Sequence, residues 1–333
     1  MESKLIFRML DETILQIETY MAQERTKDKS NIKCTQNAYQ KKMSMDFLSY
    51  YTKNAHKVDQ VYKLLDADSR KIFCWIIKAR IAYAMLGNTA NELFPYDNIA
   101  MLPCNGYISA SITFLDNELY QCNQYIISST ETTIENTWLR QEYLLMGECE
   151  PMQGYTVISG GSYCGETAIW FVDKVGSGGK VYAFEPTPHS YSRLLKNIEY
   201  NNLSSVIQPI NLGLWSTTRK MFLFEKKKDT ANNLRNDLTN IPIDAVSIDD
   251  FLLHVSCHNV DFIKLDVEGA EKEVILGARN TIIKYHPKLA IAGYHHYSDL
   301  LDIPLLINNL NPEYRLRLSH KNKTFYETVL FAY

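Results

Sequence analysis

The sequence predicts an α/β fold: a parallel sheet with helices on both faces, closed by an antiparallel hairpin and preceded by a helical region. Three observations carry this expectation. Beyond residue 150, short apolar runs alternate with stretches of helical periodicity, the pattern of strand–helix–strand units. The first run ends in a glycine-bearing turn, Ser159-Gly160-Gly161-Ser162-Tyr163-Cys164-Gly165. The second ends in a carboxylate, Glu185-Pro186, 24 residues past Gly161 (185 minus 161). Glycines let a backbone approach a ligand, and a carboxylate after the next strand can accept bonds from two ribose hydroxyls.

The elements follow in order. Leu5, Phe7, Met9, Leu10, Ile14 and Ile17 recur at roughly helical spacing. A polar stretch from Gln23 to Gln36 then reads as a linker. Two further helices flank Asp66-Ala67-Asp68-Ser69, which has the form of a turn with an N-cap. Residues 1–95 thus form a helical N-terminal region. Residues 96–150 are a mixed connecting segment on the substrate side, with a strand expected over Ile108–Phe114 and a helix over Asn136–Met146. Residues 151–333 form the ligand-binding domain. Its expected strands are Tyr155–Ser159, Lys180–Phe184, Ser205–Asn211, Phe262–Leu265 and Leu289–Ala292. Its expected helices are Gly165–Val175, Pro188–Asn201, Ile248–Leu253, Ala270–Gly277 and Leu300–Leu310. Tyr314–Ser319 and Glu327–Ala332 share a short polar connection and make the final hairpin.

Composition removes several function classes. A net charge of −3 gives no reason to expect nucleic acid as a partner. The run Lys226-Lys227-Lys228 sits between Glu225 and Asp229 and reads as a solvated loop. Seven cysteines are scattered without CxxC spacing, so neither a disulfide framework nor a structural zinc site is expected, and a reducing cytoplasm fits. Cys164, inside the turn, reads as a small buried filler. Met1–Met21 carries Glu2, Lys4, Arg8, Asp11, Glu12 and Glu18, and so lacks the apolar stretch of a signal peptide. Ile72–Leu86 contains Lys78 and Arg80 and is too short and too charged to span a bilayer. HExxH, GxSxG and GxxxxGK[ST] are all absent, so zinc peptidase, esterase and P-loop readings lack their starting feature; no metal ligand is assigned, and metal dependence stays open.

The motifs suit a particular ligand. Gly160, Gly161 and Gly165 keep side chains away from it, and a helix beginning near Gly165 points its first amides at the site. The spacing is GGxxxG rather than GxGxxG, and the turn carries Glu166 and Thr167. An acidic turn suits a ligand bearing a sulfonium and an ammonium better than a pyrophosphate. A third motif, Asp266-Val267-Glu268-Gly269-Ala270-Glu271, begins where a strand ends, at the edge where open α/β sheets bind ligands. Its carboxylates can bind a cation, orient a substrate hydroxyl or act as a base. Asp266 goes to function, Glu271 to capping the next helix, and Glu268 stays divided between the two. His295 and His296 follow the fifth strand; a base and a backbone-paired loop histidine are equally good readings. Asp249-Asp250 precedes a helix and reads as a cap.

These residues resemble the FkbM family of methyltransferases. The resemblance rests on the glycine turn, on Phe184-Glu185-Pro186 followed by Leu194-Leu195 and Asn197-Ile198, on Val246–Phe251, and on the Asp266–Glu271 motif, its most specific part. It extends through Tyr294-His295 to Glu327-Thr328-Val329-Leu330 and covers roughly residues 150–332. It implies a Rossmann-like seven-stranded methyltransferase sheet, mostly parallel with the last strand antiparallel. It also implies S-adenosylmethionine as donor and a hydroxyl of a sugar, natural product or other small molecule as acceptor. By the same analogy Gly161 and Gly165 border the methionine part of the donor, and Ser159, Gly160, Tyr163, Glu166 and Thr167 are further donor-binding candidates. Glu185 and Pro186 lie at its ribose, Asn211 and Leu212 near its adenine, and Asp266 at the reactive methyl. Asp266, Glu268 and His295 are the catalytic candidates. The helical region would cover the site or pair subunits as a homo-oligomer.

One position departs from the family pattern. The first strand of the family ends in an acid, where this chain has Ser159; Glu166 is the candidate to supply the missing negative potential. Two other classes share features with this reading. A nicotinamide-dependent oxidoreductase would use the same sheet and ribose carboxylate, but the GGxxxG spacing, the acidic turn and the antiparallel terminal strands count against it. A non-catalytic binding protein draws its support from Ser159.

Overall fold

The computed structural model describes residues 5–26, 38–95, 111–226, 238–321 and 327–333. The chain divides into two compact units, Met1–Gly106 with Ala292–Tyr333, and Tyr107–Ile291. The first unit opens with helices α1 (Leu5–Thr26), α2 (Ala38–Lys53), α3 (Ala55–Leu64), α4 (Ala67–Leu86) and the short α5 (Ala90–Leu93). α4 starts at the expected cap: Asp66 Oδ1 accepts from the Ser69 N–H at 2.8 Å, satisfying one of the amides that a first turn leaves open. Its Ala79, Ala82 and Leu86 bury against Ile17 of α1 in one apolar cluster. α1 runs to Thr26, past the break expected at Gln23, because Gln23, Glu24 and Arg25 are good helix formers. The rest of the expected linker, residues 27–36, lies outside the described residues.

The second unit begins with an antiparallel meander of β1 (Ile112–Asp116), β2 (Leu119–Cys122) and β3 (Tyr125–Ser128). Asn117 and Glu118 join the first two strands with φ of 42° and 60°, the left-handed pair that matches the twist of a tight hairpin. The strand expected over 108–114 is seen as β1, and residues 108–110 lie outside the described residues. The helix expected over Asn136–Met146 does not form. Instead α6 (Glu131–Ile134) continues as a π-helical turn over Glu135–Leu139. The chain then enters the left-handed region at Gln141, φ 49°, which a right-handed helix cannot continue through.

From there strands and helices alternate as expected. They are β4 (Thr156–Gly160), α7 (Glu166–Val175), β5 (Lys180–Phe184), α8 (Pro188–Tyr200) and β6 (Ile207–Ile210). After β6 comes a feature the sequence reading did not anticipate, a small sheet of β7 (Gly213–Leu214), β8 (Arg219–Lys226) and β9 (Leu238–Val246) in the order β7-β9-β8. Lys226 ends β8 rather than lying in a loop; Lys227 and Lys228 are outside the described residues. The unit continues with α9 (Ile248–His254), β10 (Phe262–Leu265), α10 (Glu271–Gly277), α11 (Arg279–Tyr285) and β11 (Lys288–Ala292). β4 pairs in parallel with both β5 and β10, β5 with β6, and β10 with β11. Ile158, Ala183, Ile263 and Leu289 in these strands are all buried, as a sheet covered on both faces requires.

The chain closes with α12 (Asp299–Leu310), β12 (Leu316–His320) and β13 (Thr328–Ala332) of the first unit. β12 and β13 are antiparallel, and the Leu318 N–H donates to Ser69 Oγ of α4 at 2.9 Å. The main sheet has seven strands in the order β12-β13-β11-β10-β4-β5-β6, which bears out the expected seven-stranded, mostly parallel sheet with an antiparallel end. Among the described residues, no helix is long and apolar enough to cross a membrane.

Several side chains fasten the meander: Asn201 pairs with both backbone groups of Ile126 at 2.8 Å each, and Asn197 makes the buried set. Asn197 of α8, wholly buried, accepts from the Ser128 N–H through Oδ1 at 2.8 Å. Its Nδ2 donates to Ser128 O at 3.0 Å and to Cys164 O at 2.7 Å. Asn197→Ala strands all three backbone groups, so urea unfolding should show a loss of about 3 kcal/mol. A loss of only a few tenths would remove Asn197 from this role.

Candidate functional site

The turn after β4 is shaped by how closely it lies against β10. The Asp266 N–H donates to Gly160 O at 3.1 Å. Gly161 has φ +68°, and a Cβ there would overlap the Asp266 carbonyl oxygen, a backbone atom that cannot give way. The Ser162 N–H then donates to Phe184 O of β5 at 2.9 Å, so the turn is tied to both neighbouring strands. Gly165, φ +92°, opens α7 at a point where a side chain would run into Leu194. Ser159 is wholly buried in β4, with the Ser162 hydroxyl 3.0 Å from both its Oγ and its carbonyl oxygen. The hydroxyl that stands where the family has an acid therefore closes the turn from within.

Glu185 follows β5 and is 6% exposed. Its Oε2 accepts from the Tyr163 N–H and its Oε1 from the Thr187 N–H, each at 2.9 Å. Burial raises its pKa above the ordinary carboxylate value, while the two amides and, at longer range, the Lys264 ammonium pull it back. The Thr187 hydroxyl bonds to the carboxylate as well; with about four lone-pair sites in all, a carboxylate so held can still accept a further hydrogen bond. Tyr163 reaches Glu185 from a left-handed conformation, φ 47°, with its ring partly exposed. Asn211 Nδ2 donates to Glu185 O at 2.9 Å and to Pro186 O at 3.3 Å, bracing the turn from the end of β6. Leu212 follows it, half-buried.

Glu166 has a different place from the one the sequence suggested. It is the first residue of α7, 1% exposed, and hydrogen-bonded to the Ser129 hydroxyl. Burial pushes its carboxyl up to about 8. Near neutral pH it is chiefly protonated, so it brings little negative charge to the turn. Thr167, also buried, has its Oγ1 3.5 Å from that of Thr137 in the π-helical segment.

The third motif leaves β10 at Asp266, which is half-buried. Glu268 is exposed and takes φ 54°, followed by Gly269 at 99°. Glu271, expected to cap its helix, is buried and accepts the Val267 N–H at 2.8 Å, so it holds the loop that carries Asp266. Asp249 does cap, but at the start of α11, accepting from the Asn280 and Thr281 amides at 2.9 Å each. Ser247 caps α9 itself, accepting from the Asp250 N–H at 3.0 Å. His295 belongs to the first unit, past the end of β11, with its ring 4.4 Å from that of Tyr294 between centroids. Beside it, the His296 N–H donates to Asp299 Oδ2 at 2.6 Å.

Sequence reading missed Lys264. This lysine of β10 is 2% exposed, and its Nζ donates to Gly161 O at 2.7 Å and to Gly160 O at 3.2 Å. It lies 3.9 Å from Asp266 Oδ2 and 4.8 Å from the centre of the Tyr143 ring. Lysines are almost never buried unless paired. The signal was present: Lys264 interrupts an otherwise apolar strand, Phe262-Ile263-Lys264-Leu265. The second unit thus gathers the glycine turn, Glu185, Asn211 and Asp266 at the carboxyl edge of β4, β5, β6 and β10, a shape suited to a nucleoside with free ribose hydroxyls.

Comparisons with known proteins bear on the family and the fold. The family model described as the methyltransferase FkbM domain matches residues 160–316. The chain is 28% identical over 130 residues to the hexuronic acid methyltransferase AglP of Haloferax volcanii, across 38% of this chain and 52% of that protein. It therefore spans about half the length of that curated relative. The crystal structure of a methyltransferase FkbM from Methylobacillus flagellatus is similar in fold, with TM-score 0.56 and 21% identity, covering 86% of this chain and 60% of that one. The resemblance drawn from the sequence motifs is borne out.

Two variants test the site's construction. Gly161→Ala forces a side chain onto the Asp266 carbonyl and should cost about 2 kcal/mol or more in urea unfolding; wild-type stability would show that the approach is looser than described. Glu166 holds its proton more tightly in the folded chain, about 8 against 4.5. Its stabilising contribution is therefore complete below about pH 4.5 and lost as the pH rises to about 8. Wild type should lose stability relative to Glu166→Gln across that range, and parallel pH curves for the two would contradict the assignment.

Proposed function

From the match of residues 160–316 to the methyltransferase FkbM domain model, we propose that this protein moves a methyl group from S-adenosylmethionine to a hydroxyl oxygen of a sugar or related small molecule. The observation that carries the reading is Glu185: a buried carboxylate after the second strand of the parallel sheet, aimed by two amides and the Thr187 hydroxyl and still able to accept from a ligand. That is the chemistry a pair of ribose hydroxyls asks for. Gly161 and Gly165, which close packing against Asp266 and Leu194 demands, shape the turn that would border the methionine part of the donor, with Ser159, Gly160, Tyr163 and Thr167 around them. Glu166 supports that turn from the interior. Asn211 and Leu212 stand at the adenine end, beside Pro186.

S-adenosylmethionine supplies an electrophilic methyl group on a sulfonium. The protein's part is to hold the acceptor oxygen in line and remove water, and positioning of this kind supplies most of the acceleration in such transfers. Asp266 is our first candidate to orient the hydroxyl and take its proton, with Glu268 and His295 as the others. Each follows the carboxyl end of its strand, the ligand edge of this type of sheet. A sugar acceptor is favoured because the curated relative is a hexuronic acid methyltransferase.

Ser159 favours a second reading, a protein that binds the donor without transferring its methyl. Isothermal titration of wild type should show S-adenosylmethionine binding, and Glu185→Ala should weaken it by about tenfold or more. Unchanged affinity in the variant would refute the ribose role of Glu185. Preference for NAD would turn the assignment toward an oxidoreductase. Binding with no methylation of any sugar or uronic acid offered would favour the second reading.

A further inference from the structure

Lys264 lies beneath the glycine turn, in the strand that leads to Asp266, and none of the roles above uses it. We propose that Lys264 is a positioning residue of the donor site, which locks the peptide plane between Gly161 and Ser162 in one orientation. The binding consequence rests on the donor reading given above; the structural consequence does not.

The argument starts from the turn's own freedom. Two successive glycines can rotate a peptide plane between orientations that other residues forbid. Trans peptide geometry sets the C=O and the following N–H on opposite sides of that plane. In this turn both ends of the Gly161–Ser162 peptide are held. Gly161 O accepts from Lys264 Nζ at 2.7 Å, and the Ser162 N–H donates to Phe184 O at 2.9 Å. The plane is thus stretched between β10 and β5. The preceding carbonyl, Gly160 O, accepts from the same ammonium at 3.2 Å and from the Asp266 N–H at 3.1 Å.

A neutral side chain could not replace this arrangement. An ammonium has three donors, and here two go to consecutive carbonyls while Asp266 Oδ2 stands at 3.9 Å. The face of Tyr143, 4.8 Å away, gives the buried charge further support. Hydrogen bonds from a charged donor are roughly twice as strong as neutral ones. Without them the turn keeps its glycines but loses what selects one of their conformations. The next amide, that of Tyr163, is one of the two that aim Glu185, so a flipped plane would also misplace the carboxylate.

Lys264→Met and Lys264→Arg in the full chain test this. The first readout is amide hydrogen exchange without ligand. In the Met variant the Ser162, Tyr163 and Gly165 amides should exchange about tenfold faster or more, while those of β4, β5 and β10 hold their wild-type rates. The Arg variant, which keeps the charge, should recover part of the protection. Wild-type exchange across the turn in the Met variant would overturn the proposal, as would an equal rise over the whole sheet, which would mark a residue of general stability. The second readout is titration with S-adenosylmethionine. Affinity should fall about tenfold in the Met variant, and unchanged affinity would likewise overturn the positioning role. If wild type itself binds no S-adenosylmethionine, the functional reading fails, and the exchange pattern still decides the role of Lys264. Should the Met variant not fold, Lys264→Gln, which can still donate to one carbonyl, takes its place with the same supporting and overturning outcomes.

Discussion

The site depends on one steric constraint: at the carboxyl ends of β4 and β10 there is no room for a side chain between Gly161 and the backbone of Asp266. Two parallel strands normally splay where they end. Here they stay in contact one residue further, through the Asp266 N–H bond to Gly160 O and the ammonium of Lys264. That contact sets where the turn can pass. It sends the Ser162 amide to β5 and brings the Tyr163 amide within reach of Glu185. A glycine requirement, a buried lysine and an oriented carboxylate are thus consequences of the same close approach.

Two glutamates near this turn show how surroundings decide a carboxylate's part. Glu185 is buried but meets two amides, each supplying a partial positive charge where an anion can use it. Glu166 is buried deeper and meets a hydroxyl, so desolvation prevails and its proton stays on to a pH of about 8. The first is the one to which the proposed ribose role falls. The second is a neutral interior group at the start of α7, despite standing next to Gly165 in the chain.

Much of the fold was legible because its signals are local. The strands Lys180–Phe184 and Phe262–Leu265 have the bounds their apolar runs suggested, and the other strands of the parallel sheet differ at their ends by one or two residues. Within the site, the glycine turn and Glu185 announce themselves by residue type and spacing. Glu166 was misread because acidity is visible in a sequence and depth is not; its hydrogen-bond partner, Ser129, comes from the end of the meander. The π-helical segment escaped because its apolar residues fit an ordinary helix, while the left-handed Gln141 that ends it carries no glycine to mark it. β8 and β9 were missed because they form a separate small sheet with few fully buried residues.

The rigidity of Glu185 has a consequence for which nucleotides the crevice can admit. Both of its oxygens are pinned, one on each side, so the carboxylate cannot swing out to make way for a bulkier sugar edge. If Glu185 holds the ribose as proposed, a nucleoside with free hydroxyls meets an acceptor already in place. One whose ribose carries a phosphate brings a second anion against the first in a poorly solvated place, with neither able to retreat. On the proposed ribose role, discrimination against phosphorylated coenzymes would follow from the pinned carboxylate before Pro186 and need no dedicated gate.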